Sequence, residues 1–266
     1  MSHLFNKKDI KFFKSLIIKA GDLAHNIQRE NLYVSRKEDS SIVTDADLSV
    51  QDLLLNKISR KYKDINFISE ESSNNKFNKI DNDEISVIVD PIDGTAMFSM
   101  YLPFWCVSVG IFQGYKPVYG FVYSPGSHML FYNDDEFSYL NNEKVNVRKD
   151  LEIERETNIF YASEVKFHKL NFPGKVRNLG STALHACLTV DNRRNRVLAF
   201  IGKVNLWDWA GAIPIILKAN GNIKYLSGKK IDYKEIFNNN FRLTDYAVAY
   251  NTDDFNLIKK IFKDCK

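Results

Sequence analysis

The chain has 266 residues, 44% of them hydrophobic and 26% charged, enough for one large domain or two smaller halves with a sizeable core and no need of disulfide staples. Its net charge of +4 arises from 37 basic and 33 acidic residues, scattered in pairs such as Lys7-Lys8, Arg193-Arg194 and Lys229-Lys230, without the dense stripe of a nucleic-acid binder. Cys106, Cys187 and Cys265 are too far apart for metal-ligand spacing, no apolar run is long enough to cross a bilayer and no signal-peptide pattern opens the chain, so neither membrane nor nucleic acid is expected as a main partner and a reducing cytoplasm is expected as the setting.

Phe13, Leu16, Ile17, Ala20, Ala24 and Ile27 recur at helical spacing and predict a helix over 9–27. The polar stretch 28–41 reads as a loop or a short extended pair. Thr44 and Asp45 can cap a second helix over 45–62, whose apolar face is Val50, Leu53, Leu54 and Ile58. The short apolar run 65–69 and the β-branched run 85–90 predict strands on either side of a polar loop over 74–83. Runs at 105–112, 117–124, 129–132 and 137–140, punctuated by Gln113-Gly114 and Pro125-Gly126, continue as an antiparallel meander.

The polar, charged stretch 141–156 marks the expected boundary between two halves, 1–145 and 146–266. In the second half 158–162, 196–201 and 246–250 predict strands, and 180–190, 208–220 and 253–262 predict helices. Pro214 should kink the middle one of these helices and Gly221 should stop it. Helices first and hairpins next make this an α+β chain, with helices on a largely antiparallel sheet followed by a smaller α/β half.

Four segments carry the chemistry. In Asp90-Pro91-Ile92-Asp93-Gly94-Thr95 a strand delivers Asp90 to a sheet edge, Pro91 stops the ladder, and Gly94-Thr95 turns tightly and exposes N–H groups suited to an anion. Ser69-Glu70-Glu71-Ser72 follows a short strand at the same edge. Asp208 lies between Trp207 and Trp209 at the expected start of a helix, where alone it would read as a cap. Asp47 sits in the first turn of the second helix, where an acid can orient a hydroxyl or a water. Carboxylates converging on one place repel one another, and a divalent cation removes that conflict. All-oxygen ligands point to a hard ion, Mg²⁺ first, with Mn²⁺ or Ca²⁺ as alternatives. An aspartyl nucleophile is not expected, because the acids are spaced Asp-x-x-Asp rather than Asp-x-Asp.

In this order the four segments resemble the inositol monophosphatase family. Asp-Pro-Ile-Asp-Gly-Thr at 90–95 matches its first signature and Trp-Asp-Trp-Ala at 207–210 its second, and the resemblance runs from about residue 10 to about residue 250. It implies a layered αβαβα sandwich and a Mg²⁺-dependent phosphomonoesterase using two to three ions. Glu70, Asp90 and the Ile92 carbonyl would hold one metal, and Asp90, Asp93 and Asp208 a second, with Glu70 sharing a third through waters. Thr95 with Asp47 would activate a metal-held water for in-line attack on phosphorus, without a covalent intermediate. Gly94 and Thr95 N–H groups would bind phosphate, with Asp93, Ser181 and Asp208 among the substrate contacts.

The family's substrate-reading positions depart from its pattern. The glutamate that binds a ring hydroxyl, seven residues before the second-signature aspartate, is Ile201 here. The arginine of related bisphosphate nucleotidases falls at Phe200, leaving Lys203 as the cation nearby. Ala96-Met97 replaces a position that is usually polar, whereas the phrasing from Lys37 to Asp47 is closer to nucleotidase and histidinol-phosphatase branches. Three roles therefore stand side by side. They are hydrolysis of a small polyol or sugar monophosphate, inositol monophosphate first; hydrolysis of 3′-phosphoadenosine 5′-phosphate; and a regulatory binding role with vestigial activity. The family resemblance also implies a homodimer, with Trp105 and the strands near it as candidate interface.

Overall fold

A computed structural model describes residues 7–30, 33–36, 42–72, 80–167, 170–191 and 196–263. Cys265, Arg193-Arg194, residues 37–41 and most of the expected 74–83 loop lie outside the described residues. None of the described helices is long and apolar enough to cross a membrane.

Helix α1 (Lys7–Glu30) turns Phe13, Leu16, Ile17, Ala20 and Ala24 inward, as its periodicity predicts. Strands β1 (Val34–Arg36) and β2 (Ile42–Thr44) form the short antiparallel pair before α2 (Asp45–Lys61). These two helices cover one face of a seven-stranded sheet of β3 (Ile65–Ser69), β4 (Ile85–Asp93), β5 (Cys106–Gln113), β6 (Lys116–Ser124), β7 (Met129–Asn133), β8 (Ser138–Leu140) and β9 (Glu143–Val145). Its strands run in chain order; β3 and β4 are parallel and every other neighbouring pair is antiparallel. Each Leu, Ile or Phe buried between these layers contributes roughly 1.5–3 kcal/mol. Between β4 and β5 lies α3 (Thr95–Ser99).

The second sheet has β10 (Asn158–Tyr161), β11 (Lys175–Arg177), β12 (Val197–Gly202), β13 (Asn222–Tyr225) and β14 (Ala247–Tyr250), in the order β11-β10-β12-β14-β13. Strand β10 is parallel to both its neighbours, whereas β14 is antiparallel to both of its own. Between the two sheets lie α4 (Thr182–Leu188) and α5 (Ala212–Lys218), while α6 (Tyr233–Asn238) and α7 (Phe255–Ile261) complete the second half. One hydrophobic core joins the inner face of the first sheet, through Ile88, Phe112 and Phe131, to α4, α5 and the second sheet. The result is the αβαβα layering.

Several local expectations are corrected. Pro91 does not end its strand: Asp90 pairs with Ser108 and Asp93 with Cys106, so the ladder skips the residue without an N–H and resumes as a bulge. The helix expected from Asp208 starts only at Ala212, which puts Pro214 in its first turn, where no intrahelical N–H is required. That helix is closed by Asn220 in the left-handed conformation, φ 64°, with the Gly221 N–H returning to the Ile216 carbonyl at 2.9 Å. Strand β9 falls inside the expected boundary stretch. Trp105 is fully buried edge-on against Phe98, so it is core and offers no surface to a partner.

Candidate active site

The bulge in β4 is the starting point. Beyond it Gly94 takes φ 96°, a conformation that favours glycine, and a Cβ there would lie 3.1 Å from the Phe104 carbonyl and 3.2 Å from that of Gly180. The chain then enters α3, and Thr95 returns its hydroxyl to the Ile92 carbonyl at 2.9 Å. Asp90 and Asp93 therefore emerge on the same edge as Glu70, which follows the parallel neighbour β3; the Glu70 N–H donates to the Val89 carbonyl at 3.2 Å. From the second half, Asp208 arrives on a turn in which its Oδ2 accepts the Asn205 N–H at 2.7 Å.

These elements enclose a cavity of about 150 Å³ whose walls include Glu70, Asp90, Ile92, Asp93, Gly94, Thr95, Thr182 and Asp208. Carboxylate oxygens of Glu70, Asp90 and Asp208 all lie within 4.8 Å of one another. Asp90 is buried, and its Oδ1 has no hydrogen-bond partner. Burial first, then repulsion from Glu70, Asp93 and Asp208, pushes its carboxyl well above the ordinary carboxylate range. Burial followed by Glu70 and Asp93 does the same to Asp208. Three crowded carboxylates, one with an orphaned buried oxygen, fit a hard divalent cation; the donor set contains no histidine or cysteine.

Asp93 is held differently. Its Oδ1 accepts the Thr182 N–H at 3.0 Å, and its Oδ2 accepts the Ala183 N–H at 2.7 Å together with the Ser181 hydroxyl. Cys106 Sγ lies 3.5 Å from the same oxygen. Burial raises this carboxyl to about 6, and the hydrogen bonds from Ser181, Thr182, Ala183 and Cys106 oppose that rise. Ser181 is fully buried as the N-cap of α4, with its Oγ also accepting the Leu184 N–H at 3.3 Å. It bonds Asp93, and its neighbours Gly180 and Thr182 are the wall residues of that segment.

Asp47 lies behind the walls. Its Oδ2 accepts the Thr44 N–H at 2.8 Å and the Thr44 hydroxyl at 2.6 Å. Burial pushes it up to about 7, the Thr44 bonds lower it, and Glu71 and Glu70 add repulsion. Asp47 and Thr95 are each hydrogen-bonded to a local partner, Thr44 and the Ile92 carbonyl.

The remaining walls were not singled out from sequence. They are Ala162, Ser163 and Glu164 beyond β10, Asn178 before α4 and Val204 beyond β12; Gly180 and His185, both within the expected 180–190 helix, complete the lining. The His185 ring stacks on Phe160 at 4.8 Å and its Nε2 accepts the Leu179 N–H at 2.7 Å. Burial lowers its pKa to about 3 and keeps it neutral. Their common signal is position: Ala162–Glu164 and Val204 follow the carboxyl ends of two parallel strands, where open α/β sheets gather ligands.

The chain matches the inositol monophosphatase family over residues 6–240. It is 31% identical over 244 residues to inositol monophosphatase 3 of Solanum lycopersicum, covering 84% of this chain and 89% of that one. It is also 31% identical over 218 residues to a fructose-1,6-bisphosphatase of Pyrococcus furiosus, covering 81% and 80%. A solved IMPase/NADP phosphatase complexed with Mg²⁺ and phosphate superimposes with a TM-score of 0.79 at 19% identity, over 96% of this chain and 95% of that one, which establishes the shared fold.

Proposed function

Since the chain belongs to the inositol monophosphatase family and is a phosphoric monoester hydrolase, we propose that its substrate is a small polyol or sugar monophosphate, inositol monophosphate first, and that Mg²⁺ is its metal, as two to three ions with Mn²⁺ as an alternative. The observation that carries this reading is the convergence of Glu70, Asp90 and Asp208 within 4.8 Å in a cavity that Gly94 and Thr95 also line. Glu70, Asp90 and Asp208 would hold the cations, with Asp93 and the Ile92 carbonyl as further ligands. When bound, the ions polarise the phosphoryl group, acidify a water and stabilise the leaving alkoxide.

The chain's own residues do the rest. The Gly94 and Thr95 N–H groups, presented by the left-handed turn, would hold phosphate oxygens. Asp47, raised to about 7, is poised to exchange a proton near neutral pH and would work with the Thr95 hydroxyl to orient the attacking water. The bonds to Asp93 from Ser181, Thr182 and Ala183 fix the α4 segment against the phosphate loop, and Thr182 would contact the substrate. Exposed Met100, Tyr101, Leu102 and Phe104, rather than Trp105, would supply an apolar surface for a homodimer.

The test is phosphate release with Mg²⁺ from inositol 1-phosphate, fructose 1,6-bisphosphate, 3′-phosphoadenosine 5′-phosphate and histidinol phosphate, using Asp90→Asn as the blank. Preference for inositol 1-phosphate, lost in the blank, supports the reading. Preference for either bisphosphate overturns the substrate assignment, and metal-independent release overturns the mechanism.

A further inference from the structure

Besides the acids that would hold cations, the cavity wall carries one more carboxylate, Glu164. The family's hydroxyl-reading glutamate is missing at position 201, where Ile201 is fully buried in β12. Its backbone nevertheless carries the neighbouring wall. The Ile201 carbonyl accepts the Ala162 N–H at 2.9 Å, and the Ala162 carbonyl accepts the Val165 N–H at 3.0 Å. These two bonds hang a tight turn, with Ser163 and Glu164 at its centre, directly on the position that lost its carboxylate. Strands β10 and β12 are parallel, with Tyr161 opposite Ile201, so the turn opens at the same edge.

The turn is braced rather than loose. Val165 is buried. The Asn178 side chain donates to Ser163 Oγ at 3.2 Å, and its Oδ1 accepts the Gly180 N–H at 2.7 Å, tying the turn to the segment that leads into α4. Glu164 lines the cavity and lies near enough to Asp208 to raise its carboxyl, as one of its weaker contributors. Among the described residues its carboxylate has no hydrogen-bond or ion-pair partner. The described walls include no lysine or arginine.

We infer that Glu164 reads the alcohol half of the substrate, accepting a hydrogen bond from a free hydroxyl in place of the side chain missing at 201. The inference rests on the phosphatase reading above and narrows its substrate class to a monophosphate with a free hydroxyl near the ester. Once cations neutralise the metal-binding acids, Glu164 remains as the uncompensated charge of the wall. A carboxylate there accepts from a hydroxyl and repels a second phosphate. A substrate bearing two phosphates would need a cation where this chain has an acid.

The experiment compares Glu164→Gln with the wild type in Mg²⁺ on three substrates: inositol 1-phosphate, p-nitrophenyl phosphate, which has no hydroxyl to read, and fructose 1,6-bisphosphate. Losing a charged hydrogen bond is expected to raise KM for inositol 1-phosphate roughly tenfold to a hundredfold, with kcat little changed. Activity on p-nitrophenyl phosphate should stay within about twofold, since no bond made to that substrate is lost. Glu164→Lys should shift preference further toward fructose 1,6-bisphosphate. Equal losses on inositol 1-phosphate and p-nitrophenyl phosphate would make Glu164 a support of the metal site and overturn the inference, as would no change on either. Wild-type protein inactive on all three overturns the phosphatase reading itself, a failure seen before any variant is compared.

Discussion

The backbone N–H of Ala183 donates to Asp93 Oδ2 at 2.7 Å, joining residues 90 positions apart and locking the second half of the chain to the Asp93-Gly94-Thr95 turn of the first. Thr182 N–H and the Ser181 hydroxyl complete the clasp. The same Ser181 oxygen also caps α4, so one side chain orders both a helix start and a site carboxylate. Ser181→Ala should therefore lower stability by about 2 kcal/mol, combining a lost cap with a lost bond to a buried charge. Denaturant melts measure that, and turnover should fall with it because Asp93 loses its fixed position. A variant as stable and as active as the wild type would mean that the two backbone N–H groups hold Asp93 unaided.

Asp90→Asn and Asp208→Asn should each remove most activity and weaken Mg²⁺ binding. Their effect on the cation-free protein has the opposite sign. Asp90 is buried with its Oδ1 unpartnered and is opposed by Glu70, Asp93 and Asp208, so neutralising it relieves repulsion. Thermal melts in chelator should show Asp90→Asn at or above the wild-type Tm. In saturating Mg²⁺ the order should reverse, because a cation at about 100 times its Kd adds about 2.7 kcal/mol to the protein that binds it. Equal Mg²⁺ stabilisation of wild type and variant would remove Asp90 from the ligand set.

What could be read in the sequence follows from what each feature depends on. The acids of 90–93 and Asp208 were legible because short local patterns place them: a β-branched run delivers Asp90, and the paired tryptophans mark Asp208. Helix α1 was legible from its periodicity, and α2 from its periodicity together with the cap at Thr44. Strands β11 and β13 and helix α6 were not, because Lys175–Arg177, Asn222–Tyr225 and Tyr233–Asn238 are too short to show a period. The inward turn of Ser181 was equally hidden, since Asp93, the partner that draws it, lies 88 residues away. Glu164 has no local pattern of its own, since its place at the cavity depends on β10 lying beside β12.

The titration of the site also has a definite sign. Asp47 is raised from 3.8 to about 7 and Asp93 to about 6, both mainly by burial. A group raised in this way contributes stability that is full below its unfolded value and is lost as pH rises through its folded value. His185 acts in the opposite sense. Burial lowers it from 6.5 to about 3, so its contribution is full above 6.5 and is lost as pH falls toward 3. From about pH 8 down to about pH 6.5 the acids outweigh His185, whose opposing effect grows toward the lower end of that window. Cation-free protein should become more stable on acidification across that window, by up to about 1.4 kcal/mol per pH unit for each proton taken up. Asp47→Asn should flatten the slope. Melts in chelator that weaken steadily from pH 8 to pH 6.5 would contradict the assignment.

The last prediction concerns residues that touch no substrate. Gly110 and Gly120 face each other across β5 and β6, and the turn after Asp208 lies flat against them. A Cβ on Gly110 would come within 2.4 Å of the Ala210 carbonyl oxygen, and one on Gly120 within 1.8 Å of that of Gly211. Both contacts are to backbone, which cannot rotate out of the way as a side chain could. Gly120→Ala must therefore lift the turn from the sheet, at a cost of about 3 kcal/mol, and Asp208 moves with it. A displacement of about 1 Å at a positioned group can cost about a hundredfold in turnover, so activity should fall far more than the loss of folded protein explains. The Mg²⁺ needed for half-maximal activity should rise as well, because Asp208, a proposed ligand, has moved away from Glu70 and Asp90. Gly126→Ala is the control: its Cβ meets Pro103 instead, away from this turn, and should reduce stability without changing the Mg²⁺ requirement. If both alanine variants shift that requirement equally, the effect belongs to general loosening of the fold; if neither does, Asp208 is held independently of the glycine pair.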